Sequence, residues 1–168
     1  MLIPGLLQTE EYARAITRTA NPFAVVEHVE DLVRARMDRR RVLESPTSPV
    51  LWAILHEATL LAPMGGPKVM RHQLQHVAEL AQWPKVVVQV LPFTAMAEAF
   101  MAGMTSIMSF YDAPTIVYTE GGGSGTIIED PALVEMNART YDLARAAALS
   151  PSASRARIES LAKDYGNR

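Results

Sequence analysis

The chain of 168 residues contains no cysteine, so it can build no disulfide framework, no thiolate metal site and no cysteine nucleophile, a usage that suits a reducing compartment. It also lacks an excess of charge of either sign: 16 Lys and Arg face 18 Asp and Glu, for a net charge of −2 and a pI near 6.1. Domains that grip nucleic acid carry a basic footprint, overall or on one face, and this balance argues against one. Lysine is scarce, three against 13 arginines, which with the abundant alanine reads as the habit of a GC-rich genome rather than as chemistry. Met1 to Leu7 has no basic stretch of the kind that opens a secretory leader. There is no clean membrane span either. Val86 to Tyr111 carries Glu98 as its single charge, but Pro92 and Gly103 divide it, and Val86, Val87, Val88 and Val90 favour strand. A soluble cytoplasmic protein is expected. What is present is apolar: 49% hydrophobic against 20% charged residues excludes intrinsic disorder. A chain of this length buries roughly 70% of its extended surface on folding. With no internal repeat or linker, residues 1–168 are expected to form a single domain.

Thr9 is an N-cap candidate, and Glu10 and Glu11 follow where a helix dipole favours acids, so the spacing predicts a helix to about Ala20. Asn21 followed by Pro22 reads as a second start, with an apolar stripe of Val25, Val26, Val29, Leu32, Val33 and Met37 in a helix reaching Leu43. Val50 to Leu55 reads as a buried strand carrying Trp52, leading into His56, Glu57 and a short turn. Gly65, Gly66 and Pro67 precede a helix from Lys68 to about Gln82, and Lys85 to Leu91 is a second buried strand. These segments make a β-α-β unit with parallel strands and a right-handed crossover. A short helix fits Ala95 to Ala102. Met104 to Phe110, Pro114 to Thr119 and Gly125 to Glu129 then form an antiparallel meander. Asp130 with Pro131, and Ser150 with Pro151, start two closing helices. The expected fold is α/β (α+β), a mixed sheet of about five strands flanked by helices.

Several groupings bear on chemistry. RARMDRRR places five arginines between Arg34 and Arg41, a run able to touch phosphates or acidic partners. Glu27, Glu30, Asp31, Asp38 and Glu44 surround it at spacings that pair charges on a helix, which favours a solvated or subunit-bridging face. His72 and His76 sit four apart, the spacing that turns two imidazoles toward a metal, yet Gln73 stands where a metalloprotease needs its glutamate base. They are weak metal candidates, and no metal or other cofactor is expected. Glu57 and Glu120 each lie at a strand end; sharing one pocket mouth would split their pKa values into an acid and a base. TEGGGSG, from Thr119 to Gly125, lacks the lysine and following helix of a phosphate loop and reads as a hairpin connection. Met96, Phe100, Met101, Met104 and Met108 gather soft side chains suited to an adaptable apolar wall, with Trp52, His56, Tyr111 and Tyr118 as polar handles. Ser106, His56 and Asp112 are triad residue types without a nucleophile elbow.

The string PGLLQTEEYARA, Pro4 to Ala15, resembles the opening of a domain of unknown function found C-terminal to XRE-type helix-turn-helix regulators of streptomycetes and related high-GC bacteria. The resemblance continues in order through RRVL (Arg40 to Leu43), ILHEATL (Ile54 to Leu60), VMRHQLQHVAEL (Val69 to Leu80), VVQVLP, IVYTE and LARAAALSPSASR. It implies the sensor half of a regulator, here expected without the DNA-reading half and so without direct nucleic-acid binding. The implied role is non-catalytic: a homodimer that recognises a small apolar metabolite or a partner protein and makes no use of a membrane. The alternative is a cofactor-independent cyclase or isomerase of specialised metabolism that moves a proton with Glu57 or Glu120.

Overall fold

The computed structural model describes residues 2–95, 103–121 and 124–167. Among the described residues six α-helices and five strands follow one another as α1 (Glu10–Ala20), α2 (Val26–Arg40), β1 (Leu51–His56), α3 (Glu57–Leu61), α4 (Pro67–Leu80), β2 (Val86–Leu91), β3 (Met104–Met108), β4 (Ile116–Gly121), β5 (Ser124–Ile128), α5 (Pro131–Ala147) and α6 (Pro151–Gly166). The caps read from sequence act as such. Thr9 accepts from Tyr12 N, Asp130 from Ala132 N and Leu133 N, and Ser150 from Ala153 N.

β1 and β2 pair in parallel from Leu51↔Val86 to His56↔Leu91. Because side chains alternate along a strand, Ala53, Leu55, Val86, Val88 and Val90 share one face, and α4 and α6 cover it. Met70, Leu74 and Val77 of α4 and Ile158, Leu161 and Tyr165 of α6 complete this core, to which Ile3, Leu7, Tyr12 and Ile16 add the N-terminal segment. Gly65 lets α1 and α4 approach: at φ +74°, a Cβ there would lie 2.9 Å from Ala15 Cβ.

The meander forms as expected, with β3 antiparallel to β4 and β4 antiparallel to β5. It does not join β1 and β2 in one mixed sheet; the strands make a parallel pair and a separate three-stranded sheet. The reason lies at the outer edge of β2. Val90 N donates to Ser154 Oγ (2.9 Å), and Val90 O accepts from Leu149 N (2.9 Å), so the α5–α6 connection occupies the edge that a further strand would need.

The second helix also differs from expectation. Asn21 closes α1 instead of opening α2: its Nδ2 donates to Thr17 O (2.9 Å). The next helix starts at Val26, with Val25 in the cap position and no side-chain capping bond. Of the predicted stripe only Val29 and Val33 are buried, Met37 packs against them, and Val25, Val26 and Leu32 are exposed. The helix ends at Arg40 and passes into a 3-10 turn, Arg41–Glu44. The short helix expected over 95–102 falls almost wholly outside the described residues.

Candidate functional site

Open α/β sheets carry ligands at the C-terminal ends of their strands, and here that end brings together His56, Glu57, Phe93 and Arg157. His56 closes β1 and caps α3: its Nδ1 accepts from Ala58 N at 3.2 Å, and its carbonyl accepts from Thr59 Oγ1 at 2.9 Å. An accepting Nδ1 assigns the ring proton of the neutral imidazole to Nε2. Phe93 meets this ring edge to face, with centroids 5.1 Å apart.

Glu57 opens α3 and is 13% exposed. Arg157 donates to its Oε1 from Nε (3.0 Å) and from Nη2 (2.8 Å), while Phe93 N donates to Oε2 (3.2 Å). Burial pushes this carboxyl up, but the Phe93 amide and the Arg157 guanidinium outweigh it and hold the group below the ordinary carboxylate range. Near neutral pH it is therefore an ionised anchor for α6 with no proton to deliver. Glu120 is exposed late in β4, opposite Met104 and Gly125, and its field reaches Arg36 of α2. None of the described interactions links Glu57 to Glu120.

The other face of the parallel pair carries a polar latch. Trp52 Nε1 donates to Gln89 Oε1 (2.8 Å), Gln89 Nε2 donates to Leu149 O (2.8 Å), and Tyr141 Oη donates to Trp52 O (2.8 Å). Arg145 sits 4.9 Å from the centroid of the Trp52 ring. Burial, opposed by Arg145, pushes the Tyr141 hydroxyl up to about 12, so it stays a donor throughout the neutral range.

The two candidate metal ligands turn to different partners: His72 Nδ1 lies 3.2 Å from Glu11 Oε2, and His76 Nε2 lies 3.4 Å from Arg40 Nη1. Among the described residues no group of three or more His, Cys, Asp or Glu side chains is placed to hold a metal. Nor is any helix among them long and apolar enough to cross a membrane.

The methionine wall is only partly in view. Met96, Phe100 and Met101 lie outside the described residues. Met104 is half-buried on β3, Met108 is exposed, and Tyr111 is fully exposed in the β3–β4 connection. Ser106 lies on β3 opposite Tyr118, and Asp112 is exposed. The Tyr118 hydroxyl lies over Gly125, where a Cβ would collide with it. A cleft of about 230 Å³ opens at the N-terminal ends of the parallel strands, between Pro46, Ser48, Trp83 and Lys85, away from Glu57 and the meander.

One cluster escaped the sequence reading. Gln73, completely buried in α4, accepts from Thr9 N (2.8 Å) and Thr9 Oγ1 (3.2 Å) and donates from Nε2 to Leu7 O (2.7 Å). Gln8, also buried, donates to Ile3 O (2.6 Å) and accepts from Arg36 Nη1 (3.0 Å). The string PGLLQT is thus a knot tied onto α4 and α2. The available signal was a glutamine sitting among Met70, Leu74 and Val77 on an apolar stripe.

The family described as Domain of unknown function (DUF5753) matches residues 1–160. No curated protein and no solved structure matches the chain.

Proposed function

The chain belongs to the DUF5753 family, and from that premise we propose that it is a non-catalytic recognition domain whose binding surface is carried by the meander and α5. One observation carries this reading. Neither hydrophobic cluster takes a residue from β3, β4, β5 or α5, yet these elements expose Met108, Ile127, Leu133, Met136 and Leu143. Apolar side chains that do not stabilise the core, gathered on one unit and including two methionines, suit an adaptable surface for an apolar ligand or partner. The resemblance beginning at Pro4 supports the finer reading, the sensor half of an XRE-type regulator acting in the cytoplasm as a homodimer, in which binding biases the arrangement passed to a DNA-reading domain. The alternative of a cyclase or isomerase working through Glu57 gains nothing from a carboxylate already bound by Arg157 and Phe93 N. The test is titration with anilinonaphthalene sulfonate. Saturable fluorescence that falls several-fold in Ile127→Thr, Met108→Gln and Met136→Gln supports the reading; fluorescence unaffected by all three rejects it.

A further inference from the structure

We propose that Arg36, Arg40 and His76 form a binding site for a tetrahedral oxyanion, inorganic phosphate or the head of a phosphomonoester, where α2 and α4 meet the Gln8 segment. The site uses none of the apolar residues of the proposed meander surface, although Glu120 of β4 lies within electrostatic reach of Arg36. It starts from an imbalance within the arginine run. Arg34 pairs with Asp31 (3.1 Å) and Arg41 with Asp38 (3.5 Å), whereas Glu30 is taken by Arg14 (2.8 Å) and Arg18 (3.9 Å) of α1. Among the described residues this leaves Arg36, Arg39 and Arg40 without an ion pair. Arg39 is exposed and bonds only to a carbonyl of its own helix.

Arg36 and Arg40, one turn apart, converge on Gln8. Arg36 Nη1 donates to Gln8 Oε1 (3.0 Å) and Arg40 Nη1 to Gln8 O (3.4 Å), and both acceptors are neutral. A guanidinium offers five N–H donors, and these bonds engage one nitrogen of each. Both side chains are half-buried, and burial is the first cause lowering the Arg36 pKa, with Arg39 second and the Glu120 carboxylate of β4 opposing. His76, 3.4 Å from Arg40 Nη1, is lowered by burial and by Arg40, with Glu79 opposing. A cavity of about 30 Å³ bounded by Arg40, His76, Leu43, Leu80 and Trp83 has room for one oxygen of an oxyanion, and Arg36 lies outside its lining, on the Gln8 side of Arg40. Glu44 also lines it, but that residue is exposed and its carboxylate is free to turn to solvent. Arg40 of α2 and His76 of α4 reach the cavity from two helices, with Arg36 adding positive charge one turn away. Such a set suits a tetrahedral dianion better than a planar carboxylate, which a single guanidinium fork satisfies.

The experiment is calorimetric titration of the full chain with phosphate, phosphoserine and acetate at constant ionic strength, alongside NMR of the His76 imidazole. The expected result is saturable binding of phosphate, phosphoserine or both, with acetate weaker by about tenfold and His76 moving toward its protonated shifts. Phosphoserine alone would identify a phosphomonoester, and free phosphate alone a small inorganic ligand. Arg40→Gln should lose about tenfold in affinity, the order set by one charge-assisted hydrogen bond. Because Arg40→Gln also loosens Gln8, His76→Gln, which leaves the Gln8 bonds intact, must weaken binding as well. Arg39→Gln should change affinity less than twofold. No saturable binding, acetate binding as tightly as phosphate, or equal losses in Arg39→Gln and Arg40→Gln would overturn the site.

Discussion

Two polar side chains, Gln73 and Glu57, do different work from what their chemistry first suggests. Gln73 looks like a failed metalloprotease base, yet its buried amide satisfies Leu7 O in the core and Thr9 N at the core's edge. Gln73→Ala strips the buried Leu7 O and the half-buried Thr9 N of their partners, and the expected cost is about 1–3 kcal/mol in urea unfolding. Glu57 looks like a proton donor and is an ion-pair anchor. Its folded pKa lies below its unfolded value, so its stabilisation is present above the unfolded carboxylate pKa and is lost as pH falls through the folded one. Glu57→Gln should therefore cost about 1–2 kcal/mol at pH 7, with the gap to the native chain closing below about pH 4. A gap unchanged by acid would remove the ion pair from the account.

At the scale of elements, legibility followed the strength of the local signal. Asp130–Pro131 and Ser150–Pro151 combine a cap with a proline at N1, and both helices start there. Asn21–Pro22 carries the same signal and fails, because the Asn21 amide is spent on the end of α1. The valine-rich run Val86 to Val90 announces β2. Nothing in it announces that Ser154, 64 positions further on, will block its edge and keep the meander apart. The site was less legible than the fold. Glu57 and His56 were legible as residues at a strand end, but Arg157 lies 100 positions away and no local pattern points to it. α5 shows how such distant contacts hold an element. Ala144 is its only buried residue, so its attachment relies on Tyr141, Arg145 and the Trp52 latch. Tyr141→Phe should raise amide exchange along the C-terminal half of α5 by about tenfold, the loss of one hydrogen bond, and leave α4 unchanged. Equal exchange in both proteins would mean that the latch does not hold α5.

Over the whole molecule, stability and recognition are assigned to different parts of the chain. α1, α4, α6, β1 and β2 share one hydrophobic cluster, bound at the N-terminus by the Gln8 and Gln73 knot. The meander and α5 stand beside it with Val117 and Ala144 as their buried apolar residues, and they carry exposed side chains that a stabilising role does not require. Native-state hydrogen exchange of the intact chain tests this division most directly. α4, α6, β1 and β2 are expected to open together at the global unfolding free energy, while β3, β4, β5 and the first half of α5 open separately at a lower one. One common opening free energy for every strand and helix would contradict it.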